Sequence, residues 1–486
     1  MFKTLKNAWK VQDIQNKILF TLLIILLYRL GSAIPVPYVL PDLMDFNNLY
    51  GNSILGYLSI LSGGAMSQAT FFALSVSPYI TSSIVIQLLT VAFPDSLGKL
   101  AKEGEEGQKK IKKYTRWVTI AIALVTAYGY TALLGNGSNG VSWLNSNYID
   151  WNGMWAKNGF EGTLNTLVVI ASYVAGACII MWLADLIDAK GIGNGISMIL
   201  FFNIISRGPQ LIMGLWNMIV YNKNGLVVGI LLGILSVAIT AGMVLLTVWV
   251  THSERRIPIQ YAKRVVGRKM YGGQSSNIPL KLNMTGVMPV IFASSIVSLV
   301  PTILALCGVT NDKPGFWGWL NRFLAADGAV YPILLFVLII AFSYFYTQIT
   351  FDPMEVSNNL KKQGGAIPGI RQGRPTADYI RKILGKVTLV GALFLSIIAV
   401  LPVILGPHVI QHIVEWIITP MYKDYAWLYE AIYQISLKDY IASMASSYTS
   451  VFTFGGTSML IVVGVAIETF RDIEAQLTMR NYKGFL

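Results

Sequence analysis

Ten apolar runs of 17 to 25 residues recur along this 486-residue chain, and each has the length a helix needs to cross a hydrocarbon core of about 30 Å. They are Ile18 to Ile34, Phe71 to Phe93, Trp117 to Leu134, Leu164 to Leu183, Ile196 to Val220, Leu226 to Val250, Val287 to Leu306, Val330 to Ile349, Val387 to Leu405 and Thr449 to Ile467. Runs of this length suit α-helices, which satisfy their backbone polar groups within one segment, so the expected class is an all-α integral membrane protein with ten spans. Only 13% of the residues are charged, against about a quarter in soluble domains, which excludes a multidomain soluble protein. The fifth run is the weakest, because Arg207-Gly208-Pro209 interrupts it and proline cannot complete a helical ladder.

Lys and Arg are retained on the cytoplasmic side, so their placement orients the spans. The chain has 37 basic against 24 acidic residues, a formal charge of +13. With the first tail inside, the inner segments hold 29 basic residues and the outer loops 7, and both termini are cytoplasmic. Arg29 lies within the first span. That span follows a polar segment of 17 residues and ends in Ile34-Pro35, which reads as an uncleaved helix and not as a signal peptide. Ten spans divide into five and five near Tyr221 to Gly225. An odd number per half inverts the second half (residues 221–486) relative to the first (1–220) and places a pathway between them.

Two regions break the membrane pattern. Segment 53–75 is too apolar for an exposed loop, yet its helical stretch Ile54 to Leu61 is too short to span before Ser62-Gly63-Gly64 stops it. It is either a re-entrant segment buried in protein or an amphipathic helix on the outer surface. Loop six (residues 251–286) carries seven basic residues against one acid, and loop eight (351–386) seven against three. Such loops serve as orienting charge beside anionic lipid. Their arginines are interleaved with Tyr261, Tyr271, Pro258 and glycines, a pattern equally suited to ordered protrusions that meet an acidic or RNA-containing partner.

Several features carry no chemistry. Apart from Arg29 and Arg207 the spans hold no charged residue, which disfavours an ion-coupled transporter, and a polar midplane site for a small solute is missing. A structural membrane scaffold is the third class compatible with composition. Gly191-Ile192-Gly193-Asn194-Gly195 lacks the strand and lysine of a phosphate loop and reads as a flexible inner turn. His408, His412 and Glu415 share a helical face but lack a fourth ligand, and Asn136-Gly137-Ser138 matters only in a glycosylating compartment. Cys178 and Cys307 sit in apolar runs and build neither a disulfide framework nor a metal site.

A series of strings, in order along nearly the whole chain, resembles the SecY protein-translocation channel family. They are Ser77 to Gln87 (SPYITSSIVIQ), Gly191 to Ser197, Tyr261-Ala262-Lys263-Arg264, Asn283 to Ser295, Pro368-Gly369-Ile370-Arg371, and Gly455-Gly456-Thr457-Ser458 with Met459-Leu460-Ile461. The resemblance implies a passive, non-enzymatic channel in the bacterial inner membrane, without cofactor or metal. It passes unfolded preproteins across the lipid bilayer and releases apolar segments sideways. It further implies a pore ring of Ile80, Ile84, Leu200, Ile204, Ile291 and Ile461, and a plug that includes Leu61, Ser62, Gly63, Gly64 and Ala65 within about residues 53–70. A lateral gate would involve Ser82, Ser83 and Gln87 facing Ser294 and Ser295, held by weak interhelical hydrogen bonds. Arg255, Arg256, Lys263, Arg264, Arg268, Arg371 and Arg374 resemble the docking surface for the SecA motor ATPase and the ribosome, with SecE and SecG as small membrane partners. Residues 406–448 form a longer outer connection than the family usually shows, which leaves the start of span ten open.

Overall fold

A computed structural model describes residues 8–40, 59, 61–136, 143–144, 149, 159–209, 212–213, 216, 226–261, 264–266, 269–271, 275–306, 315–324, 330–404 and 456–483. Each of the ten apolar runs carries a helix. Spans one to five hold α1 (Gln12–Gly31), α2 (Ser77–Ala92), α4 (Glu105–Asn136), α5 (Gly159–Lys190) and α6 (Gly195–Ile205), with a short α3 (Leu97–Lys102) between the second and third. Spans six to ten hold α7 (Leu226–His252), α8 (Met288–Leu306), α10 (Val330–Thr350), α12 (Arg374–Ile404) and α13 (Thr457–Lys483). The remaining helices are α9 (Phe316–Phe323) and α11 (Pro353–Lys362). Five helices are long and apolar enough to cross a membrane by themselves, among the described residues.

These helices wear their apolar residues outward as well as inward. In α1, Ile24, Ile25 and Tyr28 are buried while Leu19, Leu22, Leu23, Leu26, Leu27 and Leu30 stand exposed, and Leu245 and Ile333 do the same on α7 and α10. Water would penalise that much apolar surface, whereas lipid tails do not. Where helices pack on irregular segments, glycines let backbones approach: a Cβ on Gly176 of α5 would stand 1.9 Å from the carbonyl oxygen of Phe71, in the turns before α2. A Cβ on Gly391 of α12 would stand 2.1 Å from that of Leu282.

Several boundaries differ from the sequence expectation, each for a local reason. Span two starts at Ser77 and not at Phe71: Ser75 takes φ +50°, a left-handed turn, and Pro78 occupies the first turn of α2, where a missing N–H costs nothing. Residues 62–76 are turns, tied back by Val36 N to Ala69 O (3.2 Å) and Phe71 N to Ile34 O (3.0 Å). The described helix of span five ends at Ile205, immediately before Arg207-Gly208-Pro209. In span ten α13 begins at Thr457 and runs on to Lys483, while residues 449–455 and the long connection 406–448, with His408, His412 and Glu415, lie outside the described residues.

The chain is also not wholly helical. Loop six folds as a hairpin in which β1 (Glu254–Tyr261) pairs antiparallel with β4 (Ser275–Lys281), and its tip holds β2 (Arg264–Val266) against β3 (Lys269–Tyr271). Loop eight adds β5 (Gly365–Ala366) to the other edge of β1, giving the order β4-β1-β5. Alternating residues Ile257 and Ile259 of β1, with Leu280, turn inward onto Leu360, Ile367, Ile380 and Leu384. The two basic loops are therefore one unit with its own small core.

Candidate functional site: an aliphatic cluster beside a tethered segment

The six aliphatic residues expected to line a pore come from four helices. Ile80 and Ile84 of α2, Leu200 and Ile204 of α6, Ile291 of α8 and Ile461 of α13 are all buried in a single apolar cluster. Among the described residues the fully buried polar side chains are Ser, Thr and Asn, while the Arg29 and Arg207 guanidiniums are partly buried beside the cluster. The aliphatic side chains offer ions no substitute for their hydration shell. Beside the cluster lies a cleft lined by Leu61, Met66, Ile80, Tyr130, Leu200 and Ser295 among others.

The segment expected to be the plug sits against this cluster: Ala65 belongs to it, Leu61 packs on it, and Ser62 is buried. Residues 41–58 and 60 lie outside the described residues. Gly63 and Gly64 take φ +66° and +92°, a conformation that favours glycine, and so turn the chain back.

What holds this segment is polar, and the sequence reading missed it. The buried Asn203 amide donates from Nδ2 to the Leu61 carbonyl (2.9 Å) and to the Tyr28 hydroxyl (2.9 Å). Arg207 Nη2 donates to Ser59 Oγ (3.0 Å), Arg29 Nη2 donates to the Phe202 carbonyl (3.3 Å), and the Tyr130 hydroxyl donates to the Met66 carbonyl. The two arginines that stood out as the only charges in the spans thus flank Gly63 and Gly64. A Cβ on Gly63 would come within 2.9 Å of Arg29 Nη1, and one on Gly64 within 3.2 Å of Arg207 Nη2. Their isolation in apolar runs was the signal available beforehand; an asparagine within a span carried none.

The expected gate residues divide differently from the expectation. Ser82 Oγ lies 2.6 Å from Thr119 Oγ1 of α4, so it joins α2 to its neighbour on the same side. Ser294 and Ser295 donate to the Ile291 carbonyl of their own helix (2.9 and 2.8 Å) and make no interhelical bond among the described residues. Ser83 Oγ accepts from Gln87 Nε2 (3.4 Å). Gln87 alone of the five reaches across: its Oε1 accepts from the Tyr346 hydroxyl of α10. Phe292 of α8 packs on Tyr346 with ring centroids 5.1 Å apart, which places an aromatic wall beside that bond. Tyr346 went unnoticed because an aromatic in an apolar run reads as packing.

Of the expected docking residues, Arg255 and Arg256 on β1 and Arg371 and Arg374 at the start of α12 are exposed on the joint unit. Arg256 Nε pairs with Glu254 Oε1 at 2.7 Å. Arg264 falls in β2, while Lys263 and Arg268 lie outside the described residues. The turn that bears Arg371 is tightly built: Gly369 and Gly373 take φ +80° and +93°, and Thr376 Oγ1 donates to the Arg371 carbonyl (2.7 Å). Near the hairpin base, burial lowers the Lys281 pKa below the usual ammonium range; Arg471 adds to the effect and Glu254 opposes it.

The glycine-rich string Gly191 to Gly195 is a turn tied to its surroundings by hydrogen bonds. Asn194 caps α6 by accepting from Ile196 and Ser197, Asp188 Oδ1 accepts from Gly195 N (2.7 Å), and Thr21 Oγ1 accepts from Ile192 N (3.1 Å). Burial pushes the Asp188 carboxyl pKa up, and the Gly195 N–H partly offsets this.

A buried aliphatic cluster inside a bundle of lipid-facing helices, with an irregular segment packed against it, is an arrangement that suits a helical membrane channel. Solved structures share the fold. A protein-conducting channel superposes with a TM-score of 0.60 over 95% of this chain and 92% of that one at 15% identity, and Sec61 in the canine ribosome-channel complex with 0.55 over the same shares at 14%. The SecY family model matches residues 70–419. The protein translocase subunits SecY of Streptomyces scabiei and Mycobacterium tuberculosis are 39% and 37% identical, each alignment covering 100% of both chains. The chain belongs to the SecY family, the channel-forming subunits of the protein translocase, and is a multi-pass membrane protein.

Proposed function

We propose that unfolded polypeptide threads this chain between the six aliphatic side chains Ile80, Ile84, Leu200, Ile204, Ile291 and Ile461. The observation that carries the reading is their common burial in one cluster fed by α2, α6, α8 and α13. Aliphatic walls bind no particular sequence, so arbitrary chains slide past, and when empty they exclude ions by dewetting. Leu61 to Ala65 acts as the plug, released when the Asn203 and arginine contacts let go. The lateral gate opens between α2 with α4 and α8 with α10. Its crossing hydrogen bond, Tyr346 to Gln87, belongs to a class that averages about 0.6 kcal/mol in membrane proteins, so a partitioning apolar signal can displace it.

The chain acts in the bacterial inner membrane with both termini cytoplasmic, as two inverted halves, 1–220 and 221–486. SecE and SecG are its small membrane subunits, and the unit bearing Arg255, Arg256, Arg371 and Arg374 receives SecA or the ribosome. Exposed arginines on β1 and on the turn before α12 support this, because planar guanidinium forks suit carboxylate and phosphate partners. Reconstitution into vesicles with SecA and a signal-bearing precursor tests the assignment. Arg371→Glu is expected to leave membrane assembly intact and to abolish protease protection of the precursor; full protection by that variant would overturn the docking role.

A further inference from the structure

The helix α9 between α8 and α10 presents its apolar face the wrong way for a water-exposed loop. Helical spacing puts Phe316, Trp319, Leu320 and Phe323 on one side, with Gly318 opposite. Gly318 is buried, and the helix packs on α8, while Phe316, Trp317, Trp319 and Phe323 are 65%, 59%, 55% and 41% exposed. The rings form a ready-made surface: Trp319 stacks on Phe323 with centroids 5.0 Å apart, and Phe316 lies 6.0 Å from Trp319.

We propose that α9 is an interfacial anchor, lying in the headgroup boundary of the leaflet opposite the basic loops with its aromatic stripe dipped toward the acyl chains. Its position follows from the chain path: α8 leaves the sheet after β4 and α10 returns to α11 and β5, so α9 joins their far ends. The lipid-facing surface is continuous there, since Val300 and Ile303 of α8 and Ile333 and Val337 of α10 are exposed on either side. Trp and Phe are residues that settle at that depth, and the helix contains no acid to be desolvated. A two-turn helix of about 12 Å offers far less than the roughly 800 Å² per partner that a stable protein interface buries. Bilayer is thus the occupant that fits. Because α8 and α10 are gate helices in the function proposed above, the anchor would hold the gate's far end at fixed depth. That consequence rests on the gate reading, whereas the test below reads the anchor alone.

Nitroxide labels at Phe316→Cys, Trp319→Cys and Phe323→Cys, each in a full-length C178A/C307A chain reconstituted in vesicles, report depth through relaxation by oxygen and by a water-soluble nickel chelate. A label at Ile333→Cys serves as the lipid reference and one at Arg371→Cys as the water reference. The anchor predicts oxygen access near that of the Ile333 label and nickel access several-fold below that of the Arg371 label, at all three positions. Nickel access equal to the Arg371 label means a helix in water and overturns the proposal. Shielding from both relaxants means a second copy or another protein covers the stripe, and overturns it equally. Each label is read separately, so one variant that fails to assemble leaves the other two decisive.

Discussion

Asn203 shows how much one buried carboxamide can hold. Its Nδ2 ties α6 to the Leu61 carbonyl and to the Tyr28 hydroxyl of α1, so one side chain links two helices and the segment lodged against the apolar cluster. Asn203→Leu keeps the volume but removes both bonds and deprives the part-buried Leu61 carbonyl of this donor, a cost of about 1–3 kcal/mol. That is enough to shift a closed segment toward displacement, and planar-bilayer recordings of the idle channel are expected to show raised ion leak; unchanged conductance would remove Asn203 from the clamp. Tyr346→Phe is the matching change at the gate. Deleting one hydroxyl bonded to Gln87 is worth about 0.6 to 1.7 kcal/mol in membrane cases, so precursors with weakly apolar signals are expected to be exported several-fold faster than by the parent channel. No change in that assay would mean that the bond does not oppose opening. Neither residue was legible beforehand: an Asn or Tyr within a hydrophobic run gains its meaning from a partner 142 to 259 positions away.

At the scale of elements, the spans were legible and their ends were not. Length and hydropathy locate a membrane helix because the bilayer imposes both. Ends are set by local events such as Pro78 after a left-handed Ser75, or polar extensions as in α4 and α12, whose turns follow no hydropathy rule. The basic loops were legible as ordered, through Pro, Gly and Tyr among the charges. Their union was not, since β5 is only two residues long and its pairing with Tyr261 and Gln260 is written nowhere locally. Leu280, fully buried between the hairpin and loop eight, tests that union. Leu280→Ala should cost about 2–5 kcal/mol locally, and limited proteolysis of membranes is expected to cut both loops faster together. Cleavage confined to loop six would show that the two loops are independent.

For the whole molecule, apolar residues serve two solvents at once. Leucines such as Leu26 and Leu245 face outward where lipid replaces water, and aliphatic side chains from α2, α6, α8 and α13 turn inward into one buried cluster. The same residue types would serve as ordinary packing, so composition could not mark a pore ring; only the resemblance to the family assigned the six positions, and all six lie in a buried cluster that holds many other apolar residues as well. Photo-crosslinking tests this account at its centre. A photoreactive amino acid is placed in turn at Ile80, Ile84, Leu200, Ile204, Ile291 and Ile461, and at lipid-facing Ile333, in channels holding a precursor arrested in transit. All six inner positions are expected to capture the precursor and Ile333 is not; six silent positions beside a labelled Ile333 would contradict a path through the aliphatic cluster.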